Sequence, residues 1–154
     1  MKISDNGIDL IKHYEGFRAE AYKDSVGIWT IGYCSTRHND LTPVTTGEKI
    51  NEQDALELLL WYCDVRERVM LEIIKQPLTQ NRWDALYSFI YNAGMKAFEK
   101  STLLKKINNN PDDPLIAGEF NRWIFAGDKK LPGLVARRKS ESWLYFNNEL
   151  KFDL

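Results

Sequence analysis

The chain has little of several things, and each shortage excludes something. Two cysteines, Cys34 and Cys63, stand among 154 residues, too few for a disulfide-stapled scaffold or for a zinc site without other ligands. The two histidines, His13 and His38, are not spaced from either cysteine as metal ligands, so no metal or other cofactor is implied. Thiols in such a chain are expected to be reduced, as in proteins made in the cytoplasm. No run approaches the ~20 apolar residues that span a bilayer. Met1 to Gly7 also lacks the apolar stretch of a secretion signal, and no stable membrane insertion is expected. A formal net charge of −1 lacks the basic excess of a nucleic-acid binder. That charge is uneven: residues 1–77 carry nine Lys/Arg against 13 Asp/Glu, and residues 78–154 carry 12 against nine. Two solvated surfaces explain this as well as the orientation of an anionic polymer does.

What is present suits one domain with a sizeable core, about two-thirds of its unfolded surface buried. Ser4 is placed to cap a helix over about 5–15, where Ile8, Ile11 and Tyr14 recur at helical spacing and Gly16 offers the exit. Between Phe17 and Tyr33 the period changes. Lys23 to Gly27 reads as a turn between two short strands, with Trp29, Ile31 and Tyr33 alternating with Thr30 and Gly32. Residues 35–49 read as polar loop. A long helix begins near Asn51 and keeps a 3.6-residue beat through Ala55, Leu58, Leu59, Tyr62, Val65, Val69 and Ile73, until Pro77 stops it. Thr79 caps the next helix, with Gly94 its exit, and shorter helices are expected at about 101–108, 114–125 and 133–147. The result is an α+β fold, mostly α. A small hairpin lobe covers about 15–50, a linking helix 51–76, and a helical lobe 77–154, on which residues 1–14 pack.

Chemistry concentrates near the hairpin. Glu15 closes a helix, where exposed carbonyls present partial negative charge, and Tyr14 and Phe17 flank it. Both surroundings disfavour a bare carboxylate, as a general acid requires. Asp24 sits in a polar turn beside Lys23 and Ser25, suited to staying ionised, and Thr30 is expected to face outward from the strand that follows. Two carboxyl groups in unlike settings are the equipment of glycoside hydrolysis. Taken alone, each has a plainer reading, since a Glu ending a helix is ordinarily surface charge and an Asp in a turn a turn former.

At these residues the chain resembles the phage-type lysozymes, glycoside hydrolase family 24, whose signature is Glu, eight residues, Asp, five residues, Thr. Glu15, Asp24 and Thr30 keep both spacings, within His13-Tyr14-Glu15-Gly16-Phe17-Arg18 and Trp29-Thr30-Ile31-Gly32-Tyr33. Pro77 to Asn81, Asp84 to Leu86, Phe89 to Gly94, Ser101 to Leu104, Phe120 to Trp123 and Leu131 to Arg138 continue the likeness in order. The resemblance implies a lysozyme-like fold and cleavage of the β-1,4 bond between N-acetylmuramic acid and N-acetylglucosamine in peptidoglycan. It implies Glu15 as proton donor, Asp24 as positioning or activating the attacking water or stabilising the oxocarbenium-like centre, and Thr30 as helping to hold that water. Tyr33, Asn92 and Phe98 are expected to line the substrate cleft. A monomer is expected, made in the host cytoplasm, released through a holin-like pore and acting on the cell wall in the periplasm.

One departure stands out. Where most relatives continue Gly-His-Thr after Tyr33, this chain has Cys34-Ser35-Thr36. Cys34 is expected to be a small buried hydrophobe in preference to a modifiable thiol. Arg137-Arg138-Lys139 reads as a solvated face more readily than as a contact for substrate carboxylates. Two rival functions share the fold. A catalytically silent wall binder would not need all three of Glu15, Asp24 and Thr30, and a lytic transglycosylase would not need residues that handle water.

Overall fold

The computed structural model describes residues 1–154. Helix α1 (Asp5–Glu15) leads into a hairpin of β1 (Arg18–Lys23) and β2 (Trp29–Gly32). Next comes the long α2 (Glu52–Ile73), then α3 (Gln80–Ala93), α4 (Met95–Glu99), α5 (Thr102–Asn109) and α6 (Ile116–Phe120). A second, two-residue hairpin of β3 (Phe125–Ala126) and β4 (Lys129–Lys130) precedes α7 (Pro132–Asn147). The α-dominated α+β class is as expected from the sequence.

The helix starts reveal how far local signals reach. Asn51 caps α2 as its sequence suggests, its side-chain oxygen accepting the Asp54 N–H at 2.8 Å. Ser4 occupies the cap position of α1 without a side-chain bond to the helix. Its hydroxyl and N–H go instead to the Asp84 carboxylate, at 2.5 and 2.9 Å, tying α1 to α3. Helix α2 ends at Ile73, ahead of Pro77, because Asn108 of α5 donates to the Ile73 carbonyl and accepts the Lys75 N–H.

Helix α3 is the centre of the molecule. Nine of its residues are buried, including Asn81, Asp84 and Ser88 beside the apolar Leu86, Phe89 and Ile90. A helix buried on more than one face needs partners around it, and α1 and α7 pack on it from separate sides. The core joins Leu10 and Ile11 of α1, Leu59 and Cys63 of α2, and Phe98, Phe120 and Tyr145 of the later helices.

Residues 35–49 are a loop, as expected, and a folded one: Val44 is buried, His38 and Thr42 bond across it, and residues 48–50 lie against β1 through Ala21–Glu48 and Ile50–Ala19 backbone bonds. Two local expectations give way. The helix expected over 114–125 spans only Ile116–Phe120, the chain then turning into the β3–β4 hairpin around Gly127, whose φ is +60°. Thr30 does not face outward. It is wholly buried, because Thr30, Ile31 and Gly32 are covered in succession and in-out alternation fails on a strand enclosed on both faces.

Candidate active site

Glu15 is the last residue of α1, and Gly16, with φ +69°, breaks the chain away toward β1. Its side chain keeps only 11% of its accessible surface. The reason is a buried guanidinium: Arg137 Nη1 donates to Glu15 Oε1 at 2.5 Å, across the interface of α1 and α7. A helix end alone does not reveal this cation, because Arg137 lies 122 residues further along the chain.

Arg137 belongs to a buried polar network. Its Nε donates to Glu141 Oε1 at 3.1 Å and its Nη2 to the Ser88 carbonyl at 3.0 Å, while Ser88 Oγ donates to Glu141 Oε1 at 2.7 Å. Arg138 is also wholly buried, its Nε 3.3 Å from Glu141 Oε2 and its Nη2 bonded to Asn92 Oδ1 at 2.5 Å. The expectation of a solvated face therefore fails for Arg137 and Arg138. Arg137, Glu141, Leu144 and Tyr145 recur at helical spacing on one face of α7, so the arginine lies on the stripe that enters the core. Only Lys139 is exposed.

Opposite Arg137, the turn after β2 delivers Cys34. Ile31 and Ser35 exchange two backbone hydrogen bonds, at 2.8 and 2.9 Å, so Ser35 is anchored through its main chain. Closing that turn puts Cys34 at φ +65°, a region that favours glycine. Cys34 is exposed, and the expectation of a buried hydrophobe fails. Its sulfur meets Tyr22 and Glu15. Partial burial, then the Glu15 charge and hydrogen bond, push the thiol up to about 11. The Glu15 charge also reaches Tyr62 and Tyr91, whose phenols are raised chiefly by burial.

Asp24 organises the hairpin turn. Its Oδ1 accepts the N–H groups of Val26 and Ile28 at 3.0 and 2.9 Å, which leaves Oδ2 uncommitted. Thr30 pairs with Tyr22 across the hairpin, and its hydroxyl donates to the Ile28 carbonyl at 3.0 Å. The expected cleft residues divide. Asn92 is exposed and held by Arg138. Tyr33 and Phe98 are core rings, 3% and 0% exposed: Tyr33 packs on Phe17 with centroids 5.6 Å apart and Phe98 on Phe89 at 6.0 Å. Neither ring is open to a ligand. What Tyr33 offers is its carbonyl, which accepts the Tyr91 hydroxyl at 2.5 Å and clips the hairpin to α3.

A cavity of about 360 Å³ opens beside this centre, lined by Cys34, Arg37, Trp61, Tyr62, Arg66 and Tyr91 among others. Sequence periodicity assigned Tyr62 to the core stripe of α2. Arg37 and Arg66 gave no signal, since a lone arginine on a loop or helix reads as surface.

A mostly helical molecule with a small hairpin, and an acid buried where the two meet, is the fold and site of a lysozyme-class glycoside hydrolase. Comparison with known proteins agrees. The family model described as phage lysozyme matches residues 12–141. The endolysin of Acyrthosiphon pisum secondary endosymbiont phage 1 is 41% identical over 149 residues, 94% of this chain and 98% of that protein. The endolysin of Salmonella phage P22 is 38% identical over 147 residues, 96% of this chain and 99% of that one. Among solved structures, the endolysin from Escherichia coli O157:H7 phage FAHEc1 superposes with a TM-score of 0.84 at 38% identity, covering 98% of this chain and 97% of its own. The chain belongs to the phage lysozyme family. It is thus a muramidase-type hydrolase with the cell-wall lytic activity of an endolysin. No helix is long and apolar enough to cross a membrane.

Proposed function

We propose that this chain hydrolyses the β-1,4 bond between N-acetylmuramic acid and N-acetylglucosamine, with Glu15 as the general acid. The observation that carries the reading is the setting of Glu15, 11% exposed, fixed by Arg137 at 2.5 Å, and adjoining the hairpin that holds Asp24 and Thr30. A fixed carboxyl delivers its proton to the glycosidic oxygen from one direction. Asp24, with Oδ2 free, orients the attacking water on the other face of the sugar. Thr30 has committed its hydroxyl hydrogen to Ile28, so its lone pairs accept from that water. Because Thr30 is covered, the water reaches it when the hairpin lobe and the helical lobe part to admit substrate. Attack by water in place of a carboxylate gives inversion, which requires carboxyl groups roughly 6.5–9.5 Å apart.

The enzyme acts as a monomer without a cofactor. It accumulates in the host cytoplasm and meets the wall after a holin-like pore opens the inner membrane. Digestion of purified peptidoglycan by wild type and Glu15→Gln tests the chemistry, with new ends read by mass spectrometry and their first anomer by NMR. Reducing muramic ends, formed as the inverted anomer by wild type alone, are expected. Anhydro ends would identify a transglycosylase, no cleavage a binder, and a fully active Glu15→Gln would remove Glu15 from the mechanism.

A further inference from the structure

The cavity next to Glu15 has a one-sided charge. Its lining includes two arginines, Arg37 from the loop after β2 and Arg66 from α2, and no carboxylate. Neither cation is used up. Arg66 stacks on Tyr62, its guanidinium carbon 3.2 Å from the ring centroid, and Nη1 donates to the Tyr62 carbonyl at 3.2 Å. Its Nε is buried with no hydrogen-bond partner. Arg37 spends one N–H on the Leu41 carbonyl at 2.9 Å. Neither arginine forms a salt bridge, whereas Arg137 and Arg138 are both paired.

Guanidinium groups without a salt bridge match carboxylates in shape and charge. The cavity adjoins the acid, because Cys34 both lines it and touches Glu15. A glycan lying over Glu15 therefore presents the substituents of its neighbouring sugar here. On muramic acid those substituents are a lactyl group and the peptide attached to it, the part of the wall that carries carboxylates.

We propose that Arg66 and Arg37 form a subsite for a carboxylate borne by the muramic acid side group, so that wall peptide contributes to substrate recognition. The proposal rests on the wall-glycan reading above. The aromatic walls from Trp61, Tyr62 and Tyr91 exclude water and strengthen the ion pair.

The test compares wild type, Arg66→Gln and Arg37→Gln on three soluble substrates. These are peptide-bearing glycan strands, the same strands with peptide carboxylates chemically amidated, and strands stripped of peptide, which expose the lactyl carboxylate. On peptide-bearing strands each variant is expected to raise KM by about tenfold, the loss of one charge-assisted hydrogen bond. Amidation is expected to raise the wild-type KM similarly and to close the gap between wild type and variants to under about twofold. A gap that persists on stripped strands places the lactyl carboxylate in the subsite; a gap that vanishes there places the peptide. Variants that match wild type on peptide-bearing strands, or lose equally on amidated ones, overturn the proposal. Arg37 is exposed, so its variant reports even if Arg66→Gln fails to fold. Wild type inactive on all three strands would instead defeat the hydrolase chemistry itself.

Discussion

Replacing Arg137 with Met tests whether the buried network, and not the apolar contact alone, fastens the acid to the helical core. Arg137 is 3% exposed and donates to Glu15, Glu141 and both the hydroxyl and carbonyl of Ser88. Methionine fills much of the volume but removes every donor. Glu141, itself wholly buried, then keeps only the Ser88 hydroxyl and the edge of Arg138. Removing one member of a buried ion pair costs about 3–5 kcal/mol, mainly because the partner's charge is left uncompensated. At about 2–4 °C per kcal/mol for a domain of this size, Tm should fall by roughly 10 °C. Thermal unfolding followed by circular dichroism, with cleavage of purified wall at a temperature where the variant is folded, separates stability from activity. Folded Arg137→Met should also lose at least about tenfold in kcat, because Glu15 loses its fixed direction. Arg137→Lys keeps one charge but not the fork, and should regain less than half of each loss. Adding Glu15→Gln to Arg137→Met removes the anion left without a salt bridge, Glu141 keeping Arg138, so the double variant should be more stable than Arg137→Met. A Tm within about 2 °C of wild type for Arg137→Met, or a double variant less stable than that single one, would refute the reasoning.

Three further outcomes follow from other parts of the molecule. Cys34→Gly should raise Tm by about 2–4 °C, since a side chain at φ +65° costs on the order of 1 kcal/mol. Gly32→Ala should do the reverse and lower Tm by at least about 4 °C: φ is +63° and the new Cβ would stand 2.9 Å from the Ala55 Cβ. The thiols should be slow to alkylate near neutral pH, with the Cys34 rate climbing toward pH 11 and Cys63 silent until the chain unfolds. Burial pushes Cys63 up from its ordinary 9.0 to about 12. The folded state thus holds a proton that the unfolded state releases, and stability present below pH 9 drains away between pH 9 and 12. Cys63→Val should flatten that alkaline decline in urea melts, and an unchanged slope would contradict it.

The parts legible in the sequence are those set by neighbours along the chain. The start of α2 needed only Asn51 and Asp54, and the hairpin turn only Asp24 with the N–H groups of Val26 and Ile28. The placement of Glu15, Asp24 and Thr30 on a helix end, a turn and a strand was legible for the same reason, since the three follow one another within 16 residues. What stayed hidden was set by contacts distant in sequence. Ser4 has a cap's identity and position, yet its hydroxyl answers to Asp84, 80 residues away. Arg137 has the identity of a surface residue, and only its spacing to Glu141, Leu144 and Tyr145 placed it on the buried stripe. Thr30 was misjudged because alternation presumes one wet face, and β2 has none at that point. Phe98 and Tyr33 were assigned to the cleft by likeness, whereas their rings complete the core behind it.

The ion pair between Glu15 and Arg137 does not stand alone. Arg137 faces two carboxylates, Glu15 at 2.5 Å and Glu141 at 3.1 Å, and Glu141 also draws on Arg138 at 3.3 Å. Glu141 and Arg138 thereby share the network with Arg137, while Arg137 fixes the direction of the Glu15 carboxyl. Cys34 meets Glu15 as an uncharged group, raised by burial first and by neighbouring groups second, and Tyr22 is bonded in turn to Cys34. A neutral thiol gives Glu15 a hydrogen-bond partner without adding charge of either sign. The same turn that presents Cys34 to Glu15 opens the cavity toward Arg66, so the backbone strain at φ +65° sits where Glu15 and the cavity adjoin. Cys34→Gly therefore separates two roles in one substitution: the stability gain follows from φ alone, while any change in kcat measures what the thiol itself contributes to orienting Glu15.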